Sequence, residues 1–338
     1  WAPECRGAPE PATVAPLLAG AAPVFPAPAT VPLLPGTAPD FRLEGAPCQG
    51  GGPTRAGIQV GTHTLAGQKL DHPSWQNQDL QAVVPLGEAR CFAVVFDGHG
   101  MWGHVVAAKA CEAMVQNVKH IFPEAPAPVS DHEARAGLEK LFALAQAAIE
   151  AGEVDSRGRR LADFSGTTAT AALVDAATGR VSVAHVGDSA LAAYAHGRVL
   201  HRTTDHHVDD EAEQRCRARG GEVREFEISG ISTRRLCLRG SQFPGLAMSR
   251  ALGDLTARDL GLRSDPEVSA GLPFVPGTTL VLASDGVWEK AQADVVGSRV
   301  AGLAPQAAAR ELVEWARSRW NPAGNIDDIT AIVVAGVN

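Results

Sequence analysis

An α+β domain built mainly on antiparallel sheet is the fold class this chain predicts, and three observations carry it. Short valine-rich runs bounded by Gly, Asp or Ser recur from residue 55 to the C-terminus, as buried strands do. Only a few segments have the spacing of an amphipathic helix, and two of them are consecutive. Strands and helices do not alternate strictly through the middle of the chain, which disfavours a doubly wound parallel sheet.

The elements follow in order. Residues 1–52 read as an unfolded, disordered Ala/Pro-rich tail: the first 50 residues hold 11 of the 23 prolines and only six charged side chains, and PATVAPLL from Pro11 is echoed by PATVPLLP from Pro28. A solvated spacer and a docking peptide for a partner are its two readings. The folded domain then spans 53–338. Its strand candidates are Cys91–Phe96, Thr168–Val174, Arg180–Val186, Leu280–Ala283 and Ile329–Val334. Ser130-x-x-Glu133 forms a capping box ahead of Leu138, Leu141, Phe142, Ala145 and Ile149, which share one helical face, with Gly152 as the stop. Further helices are expected from Gly103 to His120, Val208 to Arg219 and Pro305 to Trp320.

Composition removes several function classes. With 30 basic and 38 acidic side chains the net charge is −8, and no basic run offers neutralisation of a nucleic-acid backbone. The longest charge-free stretch, Pro11 to Pro39, contains eight prolines, which deny a membrane helix its donors. The six cysteines form no C-x-x-C pair, so neither a zinc knuckle nor a disulfide framework is expected. The chain opens at Trp1, as a fragment or processed form would. A cytoplasmic or nuclear monomer is the default expectation.

The chemistry lies in a recurrence. FAVVF leads into Asp97-Gly98-His99-Gly100, VSVAHVG into Asp188-Ser189, LVLAS into Asp285-Gly286, and Asp327-Asp328-Ile329-Thr330 opens AIVV. Any one aspartate at a strand end is an ordinary turn residue. Four of them at strand termini, one followed by a histidine, point instead to carboxylates converging on a cation, and oxygen-only ligands select magnesium or manganese over zinc.

These residues sit in an ordered series of motifs: Gln78-Asp79, Val95-Phe96-Asp97-Gly98-His99-Gly100, Ser165-Gly166-Thr167-Thr168-Ala169, Val186-Gly187-Asp188-Ser189, Thr204-Asp205-His206, Gly220-Gly221, Ala247 to Asp254, Ser284-Asp285-Gly286-Val287-Trp288 and Asp327-Asp328-Ile329-Thr330. In this the chain resembles the metal-dependent protein serine/threonine phosphatases, the PPM or type 2C family. The resemblance implies a four-layer α/β/β/α sandwich of two antiparallel sheets, a metal site at one end, and a flap from about His206 to Leu246. It implies two Mg²⁺ or Mn²⁺ ions held by Asp97, the carbonyl of Gly98, Asp285 and Asp327, with Asp79 of the first acidic motif included, and a weaker third ion at Asp188 assisted by Glu289. It implies His99 as proton donor to the leaving serine or threonine oxygen of a phosphoprotein substrate.

Arg250 and Asp254 are read as an architectural pair, and Ser165 to Thr168 as the structural start of a strand. Two departures from the family pattern stand out: Gln78 replaces a glutamate, and Ser74 replaces the arginine that grips phosphate. Replacement cations are sought in His72, Arg55, Arg234, Arg235 and Arg239. The rival readings are an inactive scaffold that binds a partner protein, and a hydrolase of small phosphate esters. The intact Asp97, Asp285 and Asp327 favour an active enzyme over the scaffold.

Overall fold

The computed structural model describes residues 57–124, 127–228 and 231–337. The Pro-rich tail and Arg55 lie outside the described residues. In chain order the elements are β1 (Ile58–Leu65), β2 (Asp79–Pro85), β3 (Arg90–Gly100), α1 (Gly103–Ile121), α2 (Asp131–Glu150), β4 (Ser165–Thr167), β5 (Ala169–Asp175), β6 (Arg180–Val186), β7 (Ala190–Ala195) and β8 (Arg198–Arg202). Then follow α3 (Asp210–Ala218), β9 (Gly221–Ile228), β10 (Ile231–Leu238), β11 (Pro244–Leu246), β12 (Leu252–Gly253), α4 (Leu255–Asp259) and β13 (Glu267–Pro273). The last are β14 (Thr278–Ala283), α5 (Asp285–Trp288), α6 (Ala293–Val300), α7 (Pro305–Arg319) and β15 (Ile329–Gly336).

Two sheets form the frame. One runs β1-β15-β14-β7-β8; the other runs β12-β4-β3-β5-β6-β13, with β2 also paired to β3. All pairings between these strands are antiparallel, as the sequence predicts. Alternation along each strand divides the core. In β3, Phe92, Val94 and Phe96 pack under α1 and α2, while Cys91, Ala93 and Val95 face the other sheet. In β15, Ala331 and Val333 pack under α7, while Ile332 and Val334 face inward between the sheets. The layers are therefore helix, sheet, sheet, helix.

The same alternation positions the site. Asp97 follows Val95 by two residues, so it continues the inter-sheet face where β3 leaves the core. Asp79 of β2 lies directly across from it in register. Beside this end, β9, β10 and β11 form a small separate sheet, packed with α3 around Val208, Cys216, Leu236 and Leu260; this is the expected flap.

Helix limits depend on local capping. Ser130 Oγ accepts from Glu133 N–H at 3.2 Å, and Glu133 Oε2 accepts from Ser130 N–H at 2.9 Å, so the expected capping box starts α2. That helix ends at Glu150 with Ala151 as its C-cap, and Gly152 follows just past the cap, as expected. Asp209 Oδ1 accepts from Ala212 N–H at 2.7 Å, which starts α3 two residues later than Val208.

Candidate active site

Asp97, Gly98, His99, Asp188, Asp285 and Asp327 line one cavity of about 250 Å³, together with Lys69, Trp75, Gln78, Gly100, Thr168 and Met248. Each carboxylate comes from a different strand terminus: Asp97 within the end of β3, Asp188 after β6, Asp285 after β14 and Asp327 before β15. All four open partly onto the cavity. Asp79 does not line it; its buried carboxylate lies behind, accepting from Ser284 Oγ at 2.7 Å.

The carboxylates are mutually strained. Burial pushes Asp97 well above the ordinary carboxylate range, and Asp285, Asp79, Asp327 and Asp188 add to it. Burial does the same to Asp285, followed by Asp327, Asp188 and Glu289. Asp188 is raised by burial against the lowering pull of His99. Asp79 is pushed up to about 7, chiefly by burial, with Ser284 and Thr330 opposing. Like charges this close cannot all ionise without a counter-charge. Asp79 Oδ1 and Asp285 Oδ1 are also buried without a hydrogen-bond partner, a costly state for a carboxylate oxygen.

A hard divalent cation fits that donor set, because it takes oxygen ligands and removes the repulsion. Among the described residues no three Asp, Glu, His or Cys side chains are already gathered into a finished cage. The donors line the walls of the cavity and have to close on an ion.

Among the described residues, Lys69 and His99 face these acids. Lys69 Nζ contacts Asp327 Oδ1 at 2.8 Å and lies 5.1 Å from the Trp75 ring centre. Burial pulls this ammonium down and Asp327 pushes it up, with a raised value as the outcome. His99 Nε2 meets Asp254 Oδ2 at 2.6 Å. Gly166 lies beneath that contact, and a Cβ there would overlap both the Asp254 carboxyl and the His99 ring. The glycine of the Ser165-Gly166-Thr167 motif is thus required by close approach.

Hydroxyls lock the frame. Asp97 N–H donates to Thr168 Oγ1 at 3.1 Å, and Thr168 Oγ1 meets Ser189 Oγ at 2.7 Å. The strand carrying Asp97 is thereby joined to the loop carrying Asp188. Asp328 accepts from Gly67 N–H at 2.6 Å, Trp75 Nε1–H at 3.0 Å and Gln78 N–H at 2.8 Å, and so pins the loop that delivers Lys69.

The sequence comparisons agree with this geometry. The family model described as Protein phosphatase 2C matches residues 77–321. The chain belongs to the protein phosphatase 2C family. A probable protein phosphatase 2C 15 of Arabidopsis thaliana is 35% identical over 252 residues, covering 70% of this chain and 52% of the relative. A probable protein phosphatase 2C 40 of Oryza sativa subsp. japonica is 34% identical over 266 residues, covering 74% and 51%. The chain spans about half the length of these curated relatives. Among solved structures, serine-threonine phosphatase 2C from Toxoplasma gondii superposes with a TM-score of 0.64 at 21% identity, covering 84% of this chain and 96% of that one. The catalytic domain of the serine threonine protein phosphatase PstP in complex with two manganese ions gives 0.53 at 20% identity, covering 83% and 99%. These two establish the fold.

Within this protein phosphatase 2C fold, several residues depart from their sequence-based roles. Arg250 does not pair with Asp254; its guanidinium donates to the Asp265 carbonyl at 2.9 Å, and Asp254 turns to His99 instead. Glu289 is outside the cavity lining and contacts Lys290 at 3.2 Å. Of the replacement cations, Arg234 pairs with Asp210 and Glu213, Arg235 donates to the Gly245 carbonyl at 2.8 Å, and His72 is exposed beside Asp71. Lys69 was not among the candidates, although Gly67-Gln68-Lys69 precedes the motif. A turn in which His72 N–H donates to the Lys69 carbonyl at 3.1 Å doubles the chain back and defeats any count from Gln78.

Proposed function

We propose that this protein hydrolyses phosphoserine and phosphothreonine in proteins with the help of Mg²⁺ or Mn²⁺. The observation that carries the reading is the convergence of Asp97, Asp188, Asp285 and Asp327 on one cavity with too few counter-charges. Asp97, the Gly98 carbonyl, Asp285 and Asp327 would hold a pair of divalent ions, with Asp188 toward a third and Asp79 behind Asp97 as an acceptor of charge. Bound there, such ions supply a water acidic enough to attack phosphorus near neutral pH and offset the charge of the phosphoryl oxygens.

The remaining work falls to this chain's own side chains. Lys69 takes a phosphoryl oxygen, in the role of the arginine missing at Ser74. His99 holds a proton for the departing alkoxide, and Asp254 orients its ring. Among the described residues no serine or cysteine lines the cavity, so direct attack by water fits better than a phosphoenzyme.

The test is hydrolysis of a phosphothreonine peptide by the full chain with Mn²⁺, with Mg²⁺ and with chelator, beside Asp97→Asn and Asp285→Asn. Metal-dependent turnover lost in both variants is the expected result. A folded chain inert under every metal and with every peptide would move the assignment to a partner-binding scaffold.

A further inference from the structure

Four large apolar side chains stand in solvent along one rim of the cavity: Met101 is 74% exposed, Trp102 38%, Phe164 42% and Phe243 41%. They come from three segments, the turn between β3 and α1, the residue before β4, and the turn between β10 and β11. Phe164 and Phe243 meet edge to face with centroids 5.2 Å apart, which ties the turn of the flap to the sheet that carries Asp97. Gly100 packs so tightly on the Phe164 carbonyl that a Cβ would overlap it, and it holds φ at 82°. Trp102 N–H donates to Ser165 Oγ at 2.9 Å. The Met101–Trp102 turn is therefore fixed beside Phe164, and Gly100, the residue before it, is a wall of the cavity.

Two arginines near this rim are committed, while Arg239, in the turn that carries Phe243, is exposed. Arg159 lies 5.8 Å from the Phe164 ring centre, but Asp155 holds its guanidinium through bonds of 2.9 and 2.7 Å. Arg160 contacts Asp163 at 3.1 Å. Exposed apolar side chains grouped in this way mark interaction surfaces, and aromatic ones are the usual anchors.

We propose that this rim docks the protein segment flanking the phosphorylated residue and selects substrates with an apolar side chain beside the phosphoserine or phosphothreonine. The inference rests on the phosphatase reading and adds a substrate class to it. Continuity identifies the occupant: a segment whose phosphate reaches the carboxylates has to leave over the cavity's edge, and across Gly100 it meets Met101, Trp102 and Phe164. An extended chain advances about 3.3 Å per residue, so the residues next to the phosphoresidue are the ones that touch the rim. Where four large side chains of this kind are exposed together, an apolar flank buries contact area that an acidic or basic one does not.

The experiment compares phosphothreonine peptides carrying Phe or Leu with others carrying Glu or Lys at the flanking positions, using the full chain and Mn²⁺. p-Nitrophenyl phosphate serves as an ester with no flank. Apolar flanks are expected to raise kcat/KM about tenfold, the factor that burying part of one large apolar side chain supplies. Phe164→Ser combined with Phe243→Ser should remove the preference, and Met101→Gln, at a side chain too exposed to support folding, should reduce it. Turnover of p-nitrophenyl phosphate should match wild type in both, which also reports that they are folded. A wild type that hydrolyses the aryl ester yet ignores the flanks overturns the docking proposal and leaves the phosphatase reading in place; no metal-dependent turnover of any ester overturns both. Self-association in sedimentation that the double variant abolishes, with flank preference unchanged, would give the rim to a second copy and overturn the proposal as well.

Discussion

His99 and Asp254 lie 155 residues apart and are joined by a 2.6 Å contact between Nε2 and Oδ2. Asp254 reaches this position from a left-handed backbone, φ 45°, with its N–H donating to the Ser165 carbonyl at 2.9 Å. Burial pulls the His99 imidazole down, but the Asp254 charge and hydrogen bond push it up by more, so the ring is held toward its protonated form. Asn adopts the left-handed conformation readily and keeps the size of Asp while removing its charge. Asp254→Asn is therefore expected to fold and to lose about 10²-fold in kcat on a phosphothreonine peptide, within the range of one general acid. The alkaline limb of its pH profile should move to lower pH. Turnover of p-nitrophenyl phosphate, whose leaving group needs little protonation, should fall far less. Equal losses on the two esters would assign Asp254 to structure alone.

Lys69 gives a different signature. Among the described residues it is the one Lys or Arg side chain lining the acidic cavity, and a charge-assisted hydrogen bond contributes about 1.5–3 kcal/mol. Lys69→Met should therefore weaken competitive inhibition by inorganic phosphate about tenfold or more and raise KM for phosphopeptide, with a smaller effect on kcat. A loss confined to kcat would show that the phosphate is gripped elsewhere.

The crowded carboxylates set a pH dependence of stability in chelator. Asp79, pushed up to about 7, and Asp97, Asp188 and Asp285, also raised, keep protons in the fold that an unfolded chain releases near 3.8. Their stabilisation is whole below that ordinary value and is lost as pH rises through the raised ones. Buried His185 and His206 are both held down and act in the opposite sense as pH falls through the ordinary histidine value of about 6.5; above that value His99, which is raised, acts in the same sense as the acids, so Asp79→Asn is what separates the carboxylate share. Between about pH 6.5 and 8.5 the thermal midpoint should fall in EDTA, fall less in Asp79→Asn, and hold when Mn²⁺ is present. Calorimetry showing one slope for wild type and Asp79→Asn would remove Asp79 from the explanation.

The four cavity aspartates were legible in the sequence because each ends or opens an apolar run, and strand alternation carries that one-dimensional pattern to one end of the sandwich. The α2 start was legible because Ser130 and Glu133 satisfy each other locally. Asp254 was not, since its partner is fixed by the two-residue pairing of β12 with β4, a contact without local periodicity. β7 was missed because ALAAYA lacks the branched residues that mark strands. The flap strands GEVREFEI and ISTRRLCL are largely charged or polar, so they carry no apolar alternation to read. Lys69 was lost to a turn that breaks the spacing on which a motif depends.

Thr168 tests whether the hydroxyl frame matters to metal binding as well as to folding. Its Oγ1 accepts from Asp97 N–H and meets Ser189 Oγ, while Thr170 Oγ1 donates to the Ser189 carbonyl at 2.7 Å. Thr168→Val keeps the shape but strands a buried amide and a buried hydroxyl, which costs about 1–3 kcal/mol. The loop carrying Asp188 then retains the Thr170 bond and the two bonds between Gly187 and His206, whereas β2, β4 and β5 still hold β3 by strand pairing. Positional freedom should therefore rise more at Asp188 than at Asp97. The expected result is a lower thermal midpoint with a Mn²⁺ titration of activity shifted to higher concentration, and most of the wild-type rate regained at saturation. If saturating Mn²⁺ restores nothing, the hydroxyl acts on Asp97 itself, and the link between the two metal-facing segments is not what limits the site.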